Sequence, residues 1–341
     1  MKYRLPKAAV LELTYRCNHK CLFCSCPWYA PNSSYPVKTE LDINQWKQAI
    51  SRLYDSGVEV FSISGGEAIL KEGLEEILLH IREEGNKRGF NNVITLISNG
   101  LAMKEEYLHL FKELNVHLSM SLPGYTTFKD HTGVDNAEGV LSWFRKAKEI
   151  GLNPTVNVTV TKINYHELFE TISLGLINGA SNILLNRFLP GGRGLSYMDR
   201  LKLNNEQLNG MLDVAEEVLE LSNRRGSVGT EFPYCVIKKP GKYKRINIGM
   251  KCAAAKMFFV IGPAGEVRTC NHSPKIVGNV FNEDIISDID YWNDFAQSNY
   301  KPQQCKSCEE ITNCDCGCRE VANILFNNYK EIDPCILDLK K

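Results

Sequence analysis

Residues 8–24 read AAVLELTYRCNHKCLFC, and residues 58–67 read VEVFSISGGE. Each opens as a short apolar run of strand length and ends in residues that carry chemistry. Cys17, Cys21 and Cys24 follow the first run, and Gly65-Gly66-Glu67 close the second. Between them lies a helical pattern, with Asp42 placed to cap it, Ile43, Trp46, Ile50 and Leu53 on one face, and Gly57 to stop it. The alternation then repeats. Helix 74–81 precedes strand 93–98, helix 105–114 precedes strand 116–122, and helix 137–150 ends at Gly151 before strand 155–161. Helix 166–176 and strand 182–188 complete the series. Six β–α units with nearly continuous apolar strands imply an α/β fold, a parallel sheet covered by helices. A doubly wound sheet and a partial barrel both fit, six units being too few to close an eight-stranded barrel. In either case ligands meet the C-terminal ends of the strands, where Cys17 and the Gly-Gly-Glu triplet fall. Residues 189–194 (LPGGRG) break the alternation, and an acidic-apolar helix at about 205–221 leads into a loop-rich region.

The chain has 341 residues and 38.6 kDa, about right for one large domain and a smaller one. With 43% hydrophobic and 23% charged residues it can bury a core. Forty Lys and Arg balance forty Asp and Glu, so the basic surplus that grips a nucleic-acid backbone is absent. The N-terminus shows no signal peptide and no run approaches a membrane span, so a cytoplasmic home with reduced thiols is expected, with no membrane partner. Thirteen cysteines stand out. Four lie in residues 17–26, eight in 252–335, and Cys235 stands alone. An odd count in a reducing compartment points to metal or iron–sulfur ligation rather than a disulfide framework.

Cys17, Cys21 and Cys24 form C-x3-C-x2-C on one loop, three thiolates that can hold three corners of a [4Fe–4S] cluster and leave one iron open. A zinc knuckle with Cys26 or His19 as fourth ligand is the alternative on spacing alone. The motif, with aromatic Phe23 before its last cysteine, together with Gly65-Gly66-Glu67 at the second strand end, resembles the radical S-adenosylmethionine (SAM) superfamily. That resemblance implies a partial (β/α)6 TIM-like barrel in which SAM chelates the open iron. One electron then cleaves SAM to methionine and a 5′-deoxyadenosyl radical that abstracts a substrate hydrogen. It further implies that the Gly65-Gly66 backbone and the Glu67 carboxylate receive the methionyl ammonium and that Phe23 packs near the adenine. Ser121 and Asn157 would face the ribose and methionyl groups, and Arg187 the SAM carboxylate.

The C-terminal cysteines can be counted. Cys252 is followed by Gly265 and Cys270, then by Cys305-x2-Cys308-x5-Cys314-x3-Cys318, and by Cys335 in Asp-Pro-Cys. This register resembles the SPASM extension of radical SAM enzymes that modify peptides and proteins. Residues 260–270 read as a β-hairpin turning at Pro-Ala-Gly. The likeness implies two auxiliary [4Fe–4S] clusters, one on Cys305, Cys308, Cys314 and Cys335, the other on Cys252, Cys270 and Cys318. The second set lacks a fourth cysteine, since residues 253–258 (AAAKMF) offer none. An open iron, a water, the substrate or an unexpected ligand such as Cys235 would complete it. Taken alone, the C-x2-C pair would also suit structural zinc. Cys26 and Cys316 read as non-ligand thiols, and Cys235 as a buried thiol, a hydrogen-atom donor or an extra ligand.

The expected organisation is a radical SAM core at 1–195, a bridging helix and linker at 196–245, and a SPASM domain at 246–341. The first strand starts within a few residues of Met1, so no appended leader-binding domain is expected. A leader would be bound by the barrel or by a separate protein. The expected activity is a crosslink, thioether or carbon–carbon, in a ribosomally made peptide, with a flavodoxin- or ferredoxin-type electron donor. The alternatives are a peptide epimerase using a cysteine hydrogen donor, a sulfatase-maturating enzyme, a tetrapyrrole side-chain decarboxylase and a non-catalytic electron carrier.

Overall fold

The computed structural model describes residues 3–337; the first two and last four residues of the expected terminal domains lie outside them. Eleven strands form one sheet in the order β11-β10-β9-β1-β2-β3-β4-β5-β6-β7-β8. The first six are β1 (Ala8–Glu12), β2 (Val60–Ser64), β3 (Ile94–Ser98), β4 (Val116–Ser121), β5 (Thr155–Val160) and β6 (Asn182–Arg187). They pair in parallel and in sequential order. A doubly wound sheet reverses its strand order at a switch point, so sequential order leaves the partial barrel.

The sheet is wider than the apolar pattern foretells. β7 (Gly226–Val228) and β8 (Ile246–Ile248) extend it in parallel beyond β6. Each is three residues long, too short to show a period in sequence. At the other edge β9 (Phe258–Ile261) pairs in parallel with β1, and β10 (Glu266–Arg268) and β11 (Gly278–Asn279) continue antiparallel. The β9–β10 turn at Pro263-Ala264-Gly265, with Gly265 at φ +83°, is the expected hairpin.

Helices cover the sheet because their apolar stripes match it. In the helix Ile43–Asp55, Trp46, Ile50 and Leu53 are fully buried, each worth about 1.5–3 kcal/mol for a side chain of this size. Asp42 and Gln45 close a reciprocal capping box at its start. Asn204 and Gln207 do the same for the helix Asn205–Leu221. Among the described residues no helix is long and apolar enough to cross a membrane.

A buried polar lock ties the C-terminal hairpin to the barrel. Arg268 on β10 pairs with Glu12 on β1, and both are almost fully buried. Glu266 accepts hydrogen bonds from Tyr15 Oη at 2.9 Å and Tyr35 Oη at 2.8 Å. Burial of this kind holds only while both partners are present, since an unpaired buried charge is costly.

Candidate functional site

The loop after β1 carries Cys17, Cys21 and Cys24, all partly buried and electrostatically coupled to one another. It is held open by backbone pairing with a short helix, Phe128–Thr132, that the sequence pattern does not reveal. Lys20 N–H donates to Thr132 O at 2.9 Å and Leu22 N–H to His131 O at 2.8 Å. The ring of Phe23 meets His131 edge-on at 5.4 Å. His19 is buried, with Nε2 unpartnered among the described residues and its amide donating to Cys17 Sγ at 3.4 Å. Burial alone pushes its pKa down to about 4, so it stands neutral.

The three thiols differ electrostatically. Burial pushes Cys17 up to about 11 and raises Cys21 as well. Cys24 goes the other way, down to about 7, because the Cys26 thiol donates a hydrogen bond to it. Among the described residues no three His, Cys, Asp or Glu side chains converge tightly enough for a single metal ion. Thiols set apart on one loop suit a cluster in which each binds a different iron.

The Gly-Gly-Glu triplet sits against this loop. Gly66 N–H donates to Thr14 O and Glu67 N–H to Arg16 O. A Cβ on Gly66 would lie 2.2 Å from Arg16 O, and Gly65 adopts φ +140° with Thr14 O 2.8 Å from its Cβ position. The glycines thus serve the close approach of the β2 exit to the β1 exit, not only an approach to a ligand. The Glu67 carboxylate is buried and takes the amides of Asn99 at 2.7 Å and Ile69 at 3.3 Å. These bonds tie the β2 exit to the β3 exit. Asn99, missed in the sequence, reaches toward Cys17 Sγ at 3.8 Å and Asn18 Oδ1 at 2.8 Å.

Ser121 and Asn157 stand opposite each other in the β4–β5 register, and Asn186 Nδ2 donates to Asn157 Oδ1 at 2.9 Å. The structure therefore gathers a polar row across three adjacent strands, at the end of β4, within β5 and near the end of β6. Arg187 does not join it. Its guanidinium is buried, pairs with Asp333 at 2.5 Å and donates through Nε to Glu231 O at 3.0 Å. The cation beside the first cysteines is Arg193, an electrostatic neighbour of Cys17, Cys21 and Cys24 that donates to Cys21 O at 3.2 Å and stacks over Tyr29. It stands in the first turn of a 3-10 helix, Gly192–Tyr197. Gly192 at φ +49° lies against the carbonyls of Cys24 and Cys26, and Gly191 against the His272 ring. Three glycines in four residues at a strand exit were the available signal.

Farther along, the thiols fall into two groups. Cys252, Cys270 and Cys318 interact with one another and are shielded from solvent to different degrees, Cys270 least. Cys305, Cys308 and Cys314 surround Cys235, which also neighbours Cys335. Cys235 is exposed rather than buried and lies with this second group, so it is not placed to complete the first. Cys316 repeats the Cys26 arrangement: its thiol donates to Cys314 and lowers that thiol to about 6. Asp333 links the groups, accepting the amides of Cys318 at 2.7 Å and Cys335 at 3.0 Å.

Residues 11–175 match the model of the radical SAM superfamily. Those residues are a radical SAM domain. The chain is 26% identical over 349 residues to the PqqA peptide cyclase of Bradyrhizobium diazoefficiens, covering 97% of this chain and 86% of that protein. With the PqqA peptide cyclase of Rhodopseudomonas palustris it shares 27% identity over 347 residues, 97% of this chain and 87% of the relative. Among solved structures, anSMEcpe with bound AdoMet superposes with TM-score 0.76 at 17% identity, over 98% of this chain and 95% of that one. SuiB of Streptococcus suis bound to S-adenosylmethionine gives TM-score 0.72 at 17% identity, over 97% and 77%. At such identity the two structures speak for the fold.

Proposed function

We propose that this radical SAM enzyme modifies a peptide, closing a crosslink within a ribosomally made chain. The observation that carries the reading is the match, over nearly its whole length, to proteins named as cyclases of a peptide, joined to a three-thiol loop at the mouth of the barrel. Cys17, Cys21 and Cys24 would hold the catalytic [4Fe–4S] cluster. When bound, that cluster and SAM supply the reducing electron and the carbon radical that takes a hydrogen from substrate.

The chain's own residues supply placement. Gly65-Gly66 hold the β2 exit against the cysteine loop, Glu67 pins it to the β3 exit, and their backbone and the Glu67 carboxylate would receive the methionyl ammonium. Ser121, Asn157 and Asn186 offer a polar row for the ribose and amino-acid parts of SAM, and Phe23 an apolar face for the adenine. Arg193 holds positive charge beside the thiols and suits a carboxylate. We take residues 1–195, 196–245 and 246–341 as core, bridge and SPASM domain, with auxiliary clusters on the two C-terminal thiol groups. Those clusters would receive electrons released as a crosslink forms. A flavodoxin- or ferredoxin-type donor, a cytoplasmic setting and a separate leader-binding protein complete the proposal.

The test is anaerobic. Reconstituted protein with dithionite and SAM should release 5′-deoxyadenosine, and co-expression with a short peptide encoded beside its gene should give a product lighter by one hydrogen pair. A protein that never cleaves SAM would sink the reading; an unchanged mass with D-residues would replace crosslinking by epimerisation.

A further inference from the structure

Three neighbouring parallel strands bring an acidic residue to the thiol group that lacks a fourth cysteine. β7 and β8 pair with Val228 opposite Ile248. Just beyond those ends the chain reaches Glu231 on one strand exit and Cys252 on the other, and Phe232 N–H donates to Gly249 O at 2.9 Å, keeping the two exits side by side. From the β6 side, Arg187 fixes this turn: its amide donates to Thr230 Oγ1 at 3.0 Å and its Nε to the Glu231 carbonyl at 3.0 Å. The guanidinium's ion pair is with Asp333, and its charge also favours the ionised Glu231 carboxylate, which forms no salt bridge of its own among the described residues. That carboxylate lies near the Ala253 amide, next in chain to Cys252, and is an electrostatic neighbour of Cys252, Cys270 and Cys318 alike.

A half-buried carboxylate set beside three thiols gains from a cation lying between them. Iron is such a cation, and carboxylate oxygen is an accepted donor to it. We propose that Glu231 is the fourth protein ligand of the iron–sulfur cluster carried by Cys252, Cys270 and Cys318, a proposal that rests on the auxiliary-cluster reading above. It completes the donor set with residues already at hand, and it leaves the cluster closed to substrate.

The test uses the full chain, anaerobically reconstituted, with Cys17, Cys21 and Cys24 all changed to Ala so that the catalytic cluster contributes no signal. Iron content, Mössbauer and electron paramagnetic resonance spectra are the readouts. Glu231→Gln should lower iron by about one atom per chain and give a three-iron spectrum. Glu231→Cys should keep the iron and shift the spectrum to that of an all-thiolate site. If Glu231→Gln leaves iron and spectrum unchanged, or if Glu231→Cys loses iron equally, the ligand assignment is overturned. Changing Cys252, Cys270 and Cys318 together to Ala separates the two levels. Should that variant keep its parent's iron, no cluster resides there and the auxiliary reading falls with the proposal. Should it lose a whole cluster while Glu231→Gln loses nothing, only the role of Glu231 is refuted.

Discussion

Cys17, Cys21 and Cys24 lie on a single loop, partly open to solvent, whereas Cys252, Cys270 and Cys318 come from three separate parts of the C-terminal region and meet only in the folded chain. The first set is arranged by local backbone: pairing with residues 131–132, a tight contact with the Gly65-Gly66 exit, and a nearby arginine. The second is arranged by buried charges, with Asp315 on the Cys252 amide, Asp333 on the Cys318 amide, and Arg187 neutralising Asp333. A site that must admit a ligand keeps a face toward the barrel mouth. A site that only carries electrons can be enclosed, and enclosure lowers solvent access and tunes potential.

The strongest way to break this contrast is to remove one thiol from each region. Cys24→Ala should abolish 5′-deoxyadenosine formation, while Cys335→Ala should still cleave SAM and yet fail to release modified peptide. Chromatography of anaerobic reactions checks both; equal loss of SAM cleavage in the two variants would mean that the regions are not functionally separate. Next in size is the charge that enclosure depends on. Asp333→Asn strands Arg187 and weakens two cysteine amide contacts, and breaking a buried pair of this kind costs roughly 3–5 kcal/mol. Thermal unfolding of the reconstituted protein should show the loss, with iron released from the C-terminal region and retained by the loop.

Gly66→Ala probes the opposite side. Its Cβ would meet backbone at 2.2 Å, so the β1 exit must shift, and a displacement near 1 Å in a positioned site costs about a hundredfold in rate. SAM turnover should fall by that order while the unfolding midpoint moves less than for Asp333→Asn. A Gly66→Ala enzyme with full turnover would show that the contact is not what positions the loop.

The contrast also explains what the residues disclose before folding. The six barrel strands are legible because each is a buried apolar run between amphipathic helices, and the loop cysteines because one loop is one stretch of sequence. Gly191, Gly192 and Arg193 are visible only as a break in pattern; their contacts, with His272, the Cys24–Cys26 backbone and Cys21 O respectively, are tertiary. Arg187 shows the same limit. A polar residue at a strand end reads as a ligand contact, and its pairing with Asp333, far along the chain, is invisible in the pattern. Glu231 carries no motif at all, and β7 and β8 are too short to announce the register that places it.

The smallest effect concerns what the two regions share. In each, a C-x-C pair has its second thiol donating to the first, bringing Cys24 down to about 7 and Cys314 to about 6. Alkylation tracks the thiolate, so in iron-free protein at mildly alkaline pH Cys24 should react well ahead of Cys17, whose thiol is pushed up to about 11. Cys26→Ala removes the largest lowering influence, leaving burial to push the Cys24 thiol up against the residue-26 amide and Arg193. The Cys24 pKa then rises, and its labelling at pH 8 should slow several-fold. For the second pair the matching variant is Cys316→Gly. Cys316 sits at φ +63°, a left-handed conformation that glycine takes without strain, so the change deletes the thiol and relieves the backbone together. Cys314 labelling should slow while stability holds or rises. Site-resolved mass spectrometry against pH reads both, and a titration of Cys24 or Cys314 that ignores the loss of its neighbour would show that the paired thiols tune neither region.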